Sequence, residues 1–321
     1  MRQCFFVFVA LLLSLPAQPG VRRLGSKDVA PQESAALFVG VRKFADGNID
    51  EVRYAIDDAV DLAYEMSLGL MQPLVPPDRV ILALSDDAPL KPESIRKLSE
   101  LLSAGAVRRT AERSEILELL LKQSRRVGRG GLLIVSFATH GVSSEGIQYL
   151  LSSESNLNLT ATMIADSTIR EVISDNDVPR SLILIDACRE KLARNRRGAG
   201  PDQRSAAAFR RITAGLEGQV LIAGASRGGY AYDDDEAKNG VFTAAVIDGL
   251  RCGAAKDRHH FITVETLYSF VQRRVLAWVR ENRDKRVRGA TELDCEGDTK
   301  KMPLAICPIS RTASASSPRS E

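Results

Sequence analysis

The sequence predicts an α/β protein, a three-layer α/β/α sandwich built on a mostly parallel central sheet of about six strands. Three observations lead to this prediction. Short apolar runs recur along the chain, amphipathic helical patterns alternate with them, and two of the runs end abruptly in residues with reactive side chains. Because successive strands joined by a helix run parallel, this order requires right-handed crossovers and central strands that are buried on both faces.

The individual elements follow from periodicity. Strands are indicated by short apolar runs between polar or turn residues, and helices by apolar residues at helical spacing. Pro92 suits the first turn of a helix, and Gly128 suits the position after a last turn. The predicted strands are 35–41, 79–84, 131–138, 149–151, 181–186 and 219–224, and the predicted helices are 54–69, 92–102, 111–126, 163–173, 240–250 and 264–281.

Composition limits the class of protein. The chain has 321 residues, of which 44% are hydrophobic and 26% charged, a balance that supports a folded domain with a full-sized core. The net charge is only +3, and the basic residues are dispersed except between Arg189 and Arg211. The chain therefore lacks the basic stripe of a nucleic-acid-binding protein, and we expect no nucleic-acid partner.

The first twenty residues have the pattern of a secretory signal peptide. Arg2 precedes an apolar run from Phe5 to Leu13, and Ser14-Leu-Pro-Ala17 follows in the place of the cleavage region. The run is too short for a stable membrane span, so the pattern predicts export to a periplasmic or extracellular location. An uncleaved hydrophobic anchor or a misassigned start is the alternative. We expect a linker at 21–34, one domain at 35–307 and a disordered tail at 308–321.

The cysteines fit an exported protein but do not fix their own pairing. Removal of the leader would remove Cys4 and leave Cys188, Cys252, Cys295 and Cys307. If Cys188 is a free nucleophile, Cys295 and Cys307 are near enough in sequence to form a disulfide in an oxidising compartment. Reduced and unpaired thiols are an equal alternative.

A thiol and an imidazole follow two of the predicted buried strands. The strand at 181–186 ends in Asp186 and leads to Cys188, while the strand at 131–138 leads to His140 and Gly141. Functional residues of open parallel sheets lie beyond the carboxyl ends of the strands, so both side chains should reach the same edge. A nearby histidine can take the proton of a thiol and generate the nucleophilic thiolate. The alternatives are an inert core cysteine and a structural histidine.

At His140-Gly141 and Asp186-Ala-Cys-Arg189 the chain resembles the caspase-like cysteine peptidases, the superfamily of caspases and metacaspases. The resemblance extends over about residues 35–282 and is nearest to the bacterial metacaspase-like members. It implies a Cys188–His140 dyad and an oxyanion hole formed by the backbone N–H groups of Gly141 and Cys188. It also implies that the loop 189–211 separates two subunits, a loop that is often cut during maturation in such enzymes; the alternative is a surface loop with no role in maturation.

The resemblance implies a substrate pocket for a basic residue. Two aspartates line this pocket in metacaspases, and the matching positions here are Asp58 and Asp186. Where caspases bind an aspartate with an arginine, this chain has the segment Tyr232-Asp-Asp-Asp235. Carboxylates exclude acidic side chains and attract Arg or Lys, so we expect protein or peptide substrates with basic residues.

Asp58 and the acidic run at 233–235 also have simpler explanations, whereas Asp186, at the end of a buried strand, needs a partner. Asp58 suits the first turn of a helix, and residues 233–235, which include Asp233 and Asp234, suit a solvated turn. We expect no cofactor, although some metacaspases use such carboxylates for calcium. Two positions depart from the family pattern: Ala138 stands where a serine is usual, and Arg189-Glu-Lys191 replaces His-Ser-Gly. These departures change the expected shape of the pocket but leave the dyad in place.

Two other functions compete with a peptidase that cuts after Arg or Lys. A catalytically weak caspase-like scaffold is consistent with the fold, but such proteins normally lose the cysteine or histidine that this chain retains. A Rossmann-like nucleotide-binding protein requires a glycine-rich loop after the first strand, and Val41-Arg-Lys-Phe-Ala-Asp46 contains no glycine.

Overall fold

The computed structural model describes residues 29–187, 190–191, 218–224, 231–283, 291–295 and 297–307. The expected signal peptide at 1–20, the tail at 308–321 and Cys188 lie outside this described part. Of the basic loop at 189–211, only the backbone of Glu190 and Lys191 is described, where it forms a short strand.

From Ala35 to Ala138 strands and α-helices alternate as the sequence predicts. In chain order the strands are β1 (Ala35–Gly40), β2 (Val80–Leu84), β3 (Val107–Thr110), β4 (Leu133–Ala138), β5 (Gly141–Ser144), β6 (Ile147–Leu150), β7 (Ile164–Ala165), β8 (Ser181–Asp186), β9 (Glu190–Lys191), β10 (Gln219–Ala223), β11 (Asp233–Asp234), β12 (Asn239–Gly240), β13 (Phe261–Thr263), β14 (Glu292–Cys295) and β15 (Pro303–Ile306). The helices are α1 (Ala55–Tyr64), α2 (Pro92–Ser103), α3 (Arg113–Arg126), α4 (Asp166–Ser174), α5 (Val241–Asp248) and α6 (Val264–Asn282).

The central sheet has seven strands in the order β14-β10-β8-β4-β1-β2-β3. Its neighbouring strands are parallel except for β14, which runs antiparallel to β10. The mostly parallel sheet that the sequence predicts is confirmed. Within this sheet, the sequence analysis missed the two edge strands, β3 and β14. They lack an apolar run because their residues are only partly buried or exposed.

Helices cover both faces of the sheet and complete three layers. Along β1, Phe38 packs with the cluster that contains residues of α1, α2, α5 and α6, whereas Leu37 packs with the cluster that contains residues of α3 and α4. Successive side chains of a strand point to opposite faces, so a strand covered on both sides is apolar throughout. The predicted three-layer sandwich is therefore confirmed.

The carboxyl ends of three central strands meet at one edge of the sheet. The register aligns Gly40 of β1 with Ala138 of β4, and Ala138 with Asp186 of β8. Beyond this edge the chain forms a smaller sheet in the order β7-β6-β5-β9, which the sequence analysis recognised only in part, as the short strand 149–151. The fold thus gathers the residues that follow β1, β4 and β8 in one place.

Residues 29–34, part of the segment that the sequence suggests as a linker, belong to the folded domain. Val29 is buried, and residues Pro31–Glu33 form a short 3₁₀ helix. The backbone N–H of Ala30 donates to the carbonyl of Gly130 at 2.8 Å, and that of Gly128 donates to Glu33 at 2.8 Å. These contacts attach the segment to the turn before β4.

The disulfide differs from the expected pair. Cys307 follows β15 and bonds to Cys252, with 5.8 Å between their Cα atoms, while Cys295 is a free thiol. The expected Cys295–Cys307 bond is wrong because β14 and β15 belong to different sheets. Cys295 is aligned with Val220 at the edge of the central sheet, whereas β15 pairs with β13. Separately, none of the helices in the described ranges is long and apolar enough to span a membrane.

Candidate active site

His140 follows the end of β4 and is held by backbone contacts on both sides. The N–H of Thr139 donates to the carbonyl of Asp186 at 3.2 Å, and the N–H of Leu151 donates to the carbonyl of His140 at 3.0 Å. The imidazole Nε2 lies 2.9 Å from the carbonyl oxygen of Asp50. The Phe44 ring covers the imidazole, with 5.5 Å between ring centroids. The position of this histidine is therefore well defined.

The contact with Asp50 assigns the tautomer of the neutral ring. A carbonyl oxygen accepts but cannot donate, so Nε2 carries the hydrogen and donates it. The lone pair then lies on Nδ1, which is able to take a proton from a nearby acid. Sequence reasoning missed Asp50, because the group that acts is a backbone carbonyl in a loop and leaves no side-chain signature.

The loop that carries Asp50 is anchored by Arg42, a second residue that the sequence analysis missed. The Arg42 side chain is nearly buried and forms ion pairs with Glu51 at 2.9 Å and Asp87 at 3.0 Å. It also donates to the carbonyl of Ala88 at 3.1 Å, and its own carbonyl accepts from Val52 at 3.0 Å. Arg42 therefore holds Glu51 and Val52, the two residues that follow Asp50.

Cys188 lies outside the described residues, but its neighbours on both sides are in register with those of His140. Before the two residues, Ala138 of β4 is aligned with Asp186 of β8. After them, Val142 of β5 is aligned with Glu190 of β9. Both pairs have the same sequence offset as His140 and Cys188. Gly141, the predicted oxyanion-hole residue, is buried and begins β5.

Asp58 and Asp186 converge on Gly240 from two different elements. Asp186 accepts hydrogen bonds from the backbone N–H of Thr243 at 3.2 Å and from its hydroxyl at 2.8 Å. Asp58 accepts from the N–H of Gly240 at 2.9 Å and from the amide of Asn239 at 2.8 Å. A Cβ on Gly240 would lie 2.3 Å from Asp186 Oδ2 and 2.9 Å from Asp58 Oδ2. Only glycine leaves room for both carboxyl groups.

Burial makes both carboxyl groups difficult to ionise. It raises the pKa of Asp186 from its ordinary value of 3.8 to about 6, and the charge of Asp233 adds to the rise. Burial also raises the pKa of Asp58 well above 3.8, and the charge of Asp186 adds to it. A cation placed between these groups would favour their charged forms. The pair is therefore suited to bind one.

All of the predicted pocket residues except Asp234 line a single cleft of about 350 Å³. Asp233 has a raised pKa, chiefly because it is buried, and the nearby His140 charge opposes that rise. The Tyr232 ring packs against Trp278, with 5.6 Å between centroids. The structure thus brings together Asp58, Ala138, His140, Asp186, Tyr232 and Asp233.

Asp234 does not line this cleft. Its Oδ2 accepts from Trp278 Nε1 at 2.9 Å, and its Oδ1 accepts from the N–H groups of Glu236 and Ala237. The reason is strand alternation, since neighbours on β11 point to opposite sides. Asp235, which was not among the predicted site residues, lines the cleft and accepts from Arg53 at 2.9 Å.

The three carboxylates of this acidic run therefore have separate surroundings. Asp233 lines the cleft together with Asp58 and Asp186. Asp234 accepts hydrogen bonds from the backbone of the following turn, and Asp235 pairs with Arg53. Within the described ranges, no group of three or more His, Cys, Asp or Glu residues is arranged to hold a metal ion.

Residues 33–309 match the family model of the caspase domain, peptidase C14. The chain belongs to the caspase family of cysteine peptidases. The resemblance inferred from the two short motifs is thereby confirmed, and the family match covers the central sheet together with the cleft at its carboxyl edge. The sequence matches none of the curated proteins.

Solved structures show the same caspase-like fold at low sequence identity. Caspase-1 from Spodoptera frugiperda is 13% identical with a TM-score of 0.55, and the alignment covers 90% of this chain and 97% of that chain. A protein from Geobacter sulfurreducens is 14% identical with a TM-score of 0.52, covering 87% of this chain and all 100% of its own. The structure of pro-sf-caspase-1 is 12% identical with a TM-score of 0.50, covering 88% and 94%.

Proposed function

We propose that this caspase-family protein is an endopeptidase that hydrolyses peptide bonds after Arg or Lys, with Cys188 as nucleophile and His140 as its base. The observation that carries the proposal is the convergence of Asp58 and Asp186 on Gly240, in the cleft that also contains His140. These carboxyl groups hold raised pKa values because they are buried. A guanidinium or ammonium group supplies the charge that the pocket lacks.

The proposed chemistry begins with proton transfer from the Cys188 thiol to the imidazole. The thiolate attacks the carbonyl carbon of the basic residue, and the resulting oxyanion is bound by the N–H groups of Gly141 and Cys188. The protonated imidazole then gives its proton to the leaving amine, and an acyl thioester remains. Water, deprotonated by His140, hydrolyses this thioester. Asp50 supports each step by holding Nε2–H, which keeps the other nitrogen free for the proton.

The first test compares peptides that differ only at the residue before the scissile bond. Arg and Lys peptides should be cleaved, Asp peptides should not, and Cys188→Ala or His140→Ala should abolish turnover. The double variant should lose no more than either single variant, because the residues act as a unit. Equal cleavage after Asp and Arg would reject the specificity, and turnover by folded Cys188→Ala would reject the nucleophile.

A second test isolates the pocket carboxylates. Asp186→Asn should weaken transition-state binding of Arg peptides by about 1–3 kcal/mol, since the cation loses its buried partner. The loss is measured as the ratio of kcat/KM in the two proteins. The matched control is Asp234→Asn. Asp234 lies on β11, and its side chain contacts Trp278 instead of lining the cleft. Equal losses in the two variants would show that the effect is not specific to the pocket.

We also propose that the enzyme processes itself in the loop 189–211. This segment follows Cys188 and contains arginines at 194, 196, 197, 204, 210 and 211, which are the residues that an acidic pocket selects. Wild type and Cys188→Ala should be incubated side by side and their new N-termini sequenced. An intact yet fully active wild type, or identical cutting of Cys188→Ala, would exclude self-processing.

Export completes the proposal, and a role of calcium, which we do not expect, can be tested beside it. The Cys252–Cys307 disulfide supports export, because such bonds persist in oxidising compartments. Residues 1–20 fused to a reporter should direct it out of the cytoplasm, and retention there would contradict export.

If calcium assists the acidic run, a chelator should lower the rate of peptide cleavage, and Asp233→Asn should weaken that response.

A further inference from the structure

Arg283 places a positive charge at the exposed rim of a cleft whose interior is acidic. It follows the last residue of α6 and lines the same cleft as Asp58, Asp186 and Asp233. Its guanidinium lies over two aromatic rings, 5.1 Å from the centroid of Tyr232 and 5.3 Å from that of Trp278. Stacking of this kind restrains the side chain, so that less conformational freedom is lost when a ligand binds to it.

The charge of Arg283 is not committed to an internal partner. Within the described part of the chain, its contacts are these two rings, and no carboxylate lies within ion-pair distance. Arg53 provides a contrast in the same cleft. Its Nη1 is 2.9 Å from Asp235 Oδ1, so its charge is already balanced. Of these two arginines, Arg283 is the one without a carboxylate partner among the described residues, so we consider it the candidate to receive an anion.

We propose that Arg283 binds an acidic group of the substrate, so that the enzyme favours peptides with Asp or Glu close to the basic residue at which it cuts. This inference rests on the proposed function and adds a second charge requirement to the same cleft. A guanidinium suits this task because it presents several N–H donors that match both oxygens of a carboxylate. A peptide that carries charges of both signs then complements the acidic interior and the basic rim.

Arg283 could instead serve only to hold Tyr232 and Trp278 in place. In that case its loss would affect all peptides alike, whatever their neighbouring residues. The measurement that separates the two roles is therefore a ratio: kcat/KM for a peptide with Glu near the cleaved Arg, divided by kcat/KM for the same peptide with Gln. Substituting each neighbouring position in turn identifies the position that Arg283 contacts.

We expect wild type to favour Glu over Gln by about three- to tenfold at one neighbouring position, a range typical of a partly exposed charge pair. The preference should decline at high salt, since exposed charges are screened. Arg283→Gln should bring the ratio close to one. Arg53→Gln, the matched control, should retain the wild-type ratio.

The same peptides should be tested for binding to full-length Cys188→Ala protein, which requires no turnover. Stronger binding of the Glu peptide, lost in Cys188→Ala combined with Arg283→Gln, supports the inference even if no cleavage is detected. Cleavage after Arg with no Glu preference overturns the role of Arg283 and leaves the proposed function intact. If the Glu and Gln peptides bind equally, or if neither binds, the inference is wrong.

Discussion

At the scale of single residues, three aspartates within one helix have three different functions. Asp57 accepts from the N–H groups of Leu90 at 2.9 Å and Lys91 at 2.8 Å, which fixes the entry to α2. Asp61 forms buried ion pairs with Lys91 and Lys97. Asp58 lies in the cleft, and its carboxyl accepts from Asn239 and Gly240. Helical rotation directs the three side chains to different neighbours.

The Lys91 ammonium also contacts the side chain of Asn239, whose amide donates to Asp58. Asn239 therefore separates the internal cation from the cleft carboxylate. A lysine in direct contact with Asp58 would neutralise it, and the pocket would then have less affinity for a substrate cation. The amide lets Asp58 be hydrogen-bonded while its charge stays available to a ligand.

The buried carboxyl pair predicts a specific dependence of stability on pH. The pKa of Asp186 in the folded state is raised from 3.8 to about 6. A group with a raised pKa in the folded state contributes stability that is fully present below its unfolded pKa and is lost as the pH rises through the folded pKa. Urea unfolding should thus show that Asp186 destabilises the empty protein by about 2 kcal/mol at pH 7 relative to pH 4.

Other carboxylates oppose this trend, so the prediction is made for a difference between variants. Asp61, for example, has a lowered pKa, because its hydrogen bonds and ion pairs to lysines outweigh the opposing effect of its burial, and it contributes stability at higher pH. Relative to wild type, Asp186→Asn should gain stability as the pH rises from 4 to 7. Parallel stability curves for the two proteins would show that Asp186 is not held with a raised pKa.

Residues of the site were predictable where they follow a recognisable apolar strand in the sequence. His140 and Asp186 follow apolar runs, so their place at a sheet edge could be inferred from the sequence alone. Gly240 and the Asp50 carbonyl gave no such signal. Gly240 meets Asp58 from a position distant in sequence, and Asp50 acts through its backbone. Contacts of this kind depend on tertiary packing, which no local pattern encodes.

At the scale of elements, the loop between β1 and α1 links the nearly buried Arg42 side chain to His140, the proposed catalytic base. Arg42 pairs with Glu51, and the preceding residue, Asp50, accepts from His140. Arg42→Gln should release this loop and misplace the imidazole. We expect kcat for Arg peptides to fall by about tenfold while KM stays nearly constant, because small errors in catalytic geometry affect the transition state.

Lys43 is the matched control for this prediction. It is the next residue, it pairs with the same Asp87 at 3.1 Å, and its side chain is mostly exposed. Lys43→Gln should leave kcat close to the wild-type value, because exposed ion pairs contribute little. Steady-state kinetics well below the unfolding temperature compare the two variants. Equal kcat values in Arg42→Gln and wild type would exclude a positioning role for Arg42.

Elements were predictable in proportion to how deeply they are buried. The central strands β1, β4 and β8 are buried throughout, and their apolar runs identified them. The edge strand β3 consists of partly buried and exposed residues, and β14 contains two acidic side chains. The side-chain pattern of these edge strands resembles that of a loop, because few of their side chains face the core. Their backbone pairs with the sheet on one side only. The sequence therefore indicates the sheet but not its borders.

At the scale of the whole molecule, a disulfide adds a covalent link between the end of the caspase domain and the region after α5. The chain runs through β13 and α6, crosses to β14 at the edge of the central sheet, and returns through β15 to pair with β13. The disulfide then joins Cys307 to Cys252, beside the end of α5. Sequence proximity suggested Cys295 instead, because spacing alone contains no information about which strands become neighbours.

This connection should stabilise the whole domain. The bond joins residues 55 positions apart, and closing a loop of that length restricts the unfolded chain by about 4 kcal/mol. Cys307→Ser should lower the free energy of unfolding by roughly that amount. Cys295→Ser should change it little, because the Cys295 thiol is free.

Thiol labelling tests the pairing independently of stability. Alkylation of the unfolded, unreduced protein should modify Cys295 and spare Cys252 and Cys307, and peptide mass mapping identifies the modified sites. The pKa of the Cys295 thiol is raised chiefly by burial, so in the folded protein it should react more slowly than it does after unfolding. Labelling of Cys252 with protection of Cys295 would instead establish the pair suggested by sequence proximity. The stability loss would then follow Cys295→Ser, because the closed loop would be the short one between β14 and β15.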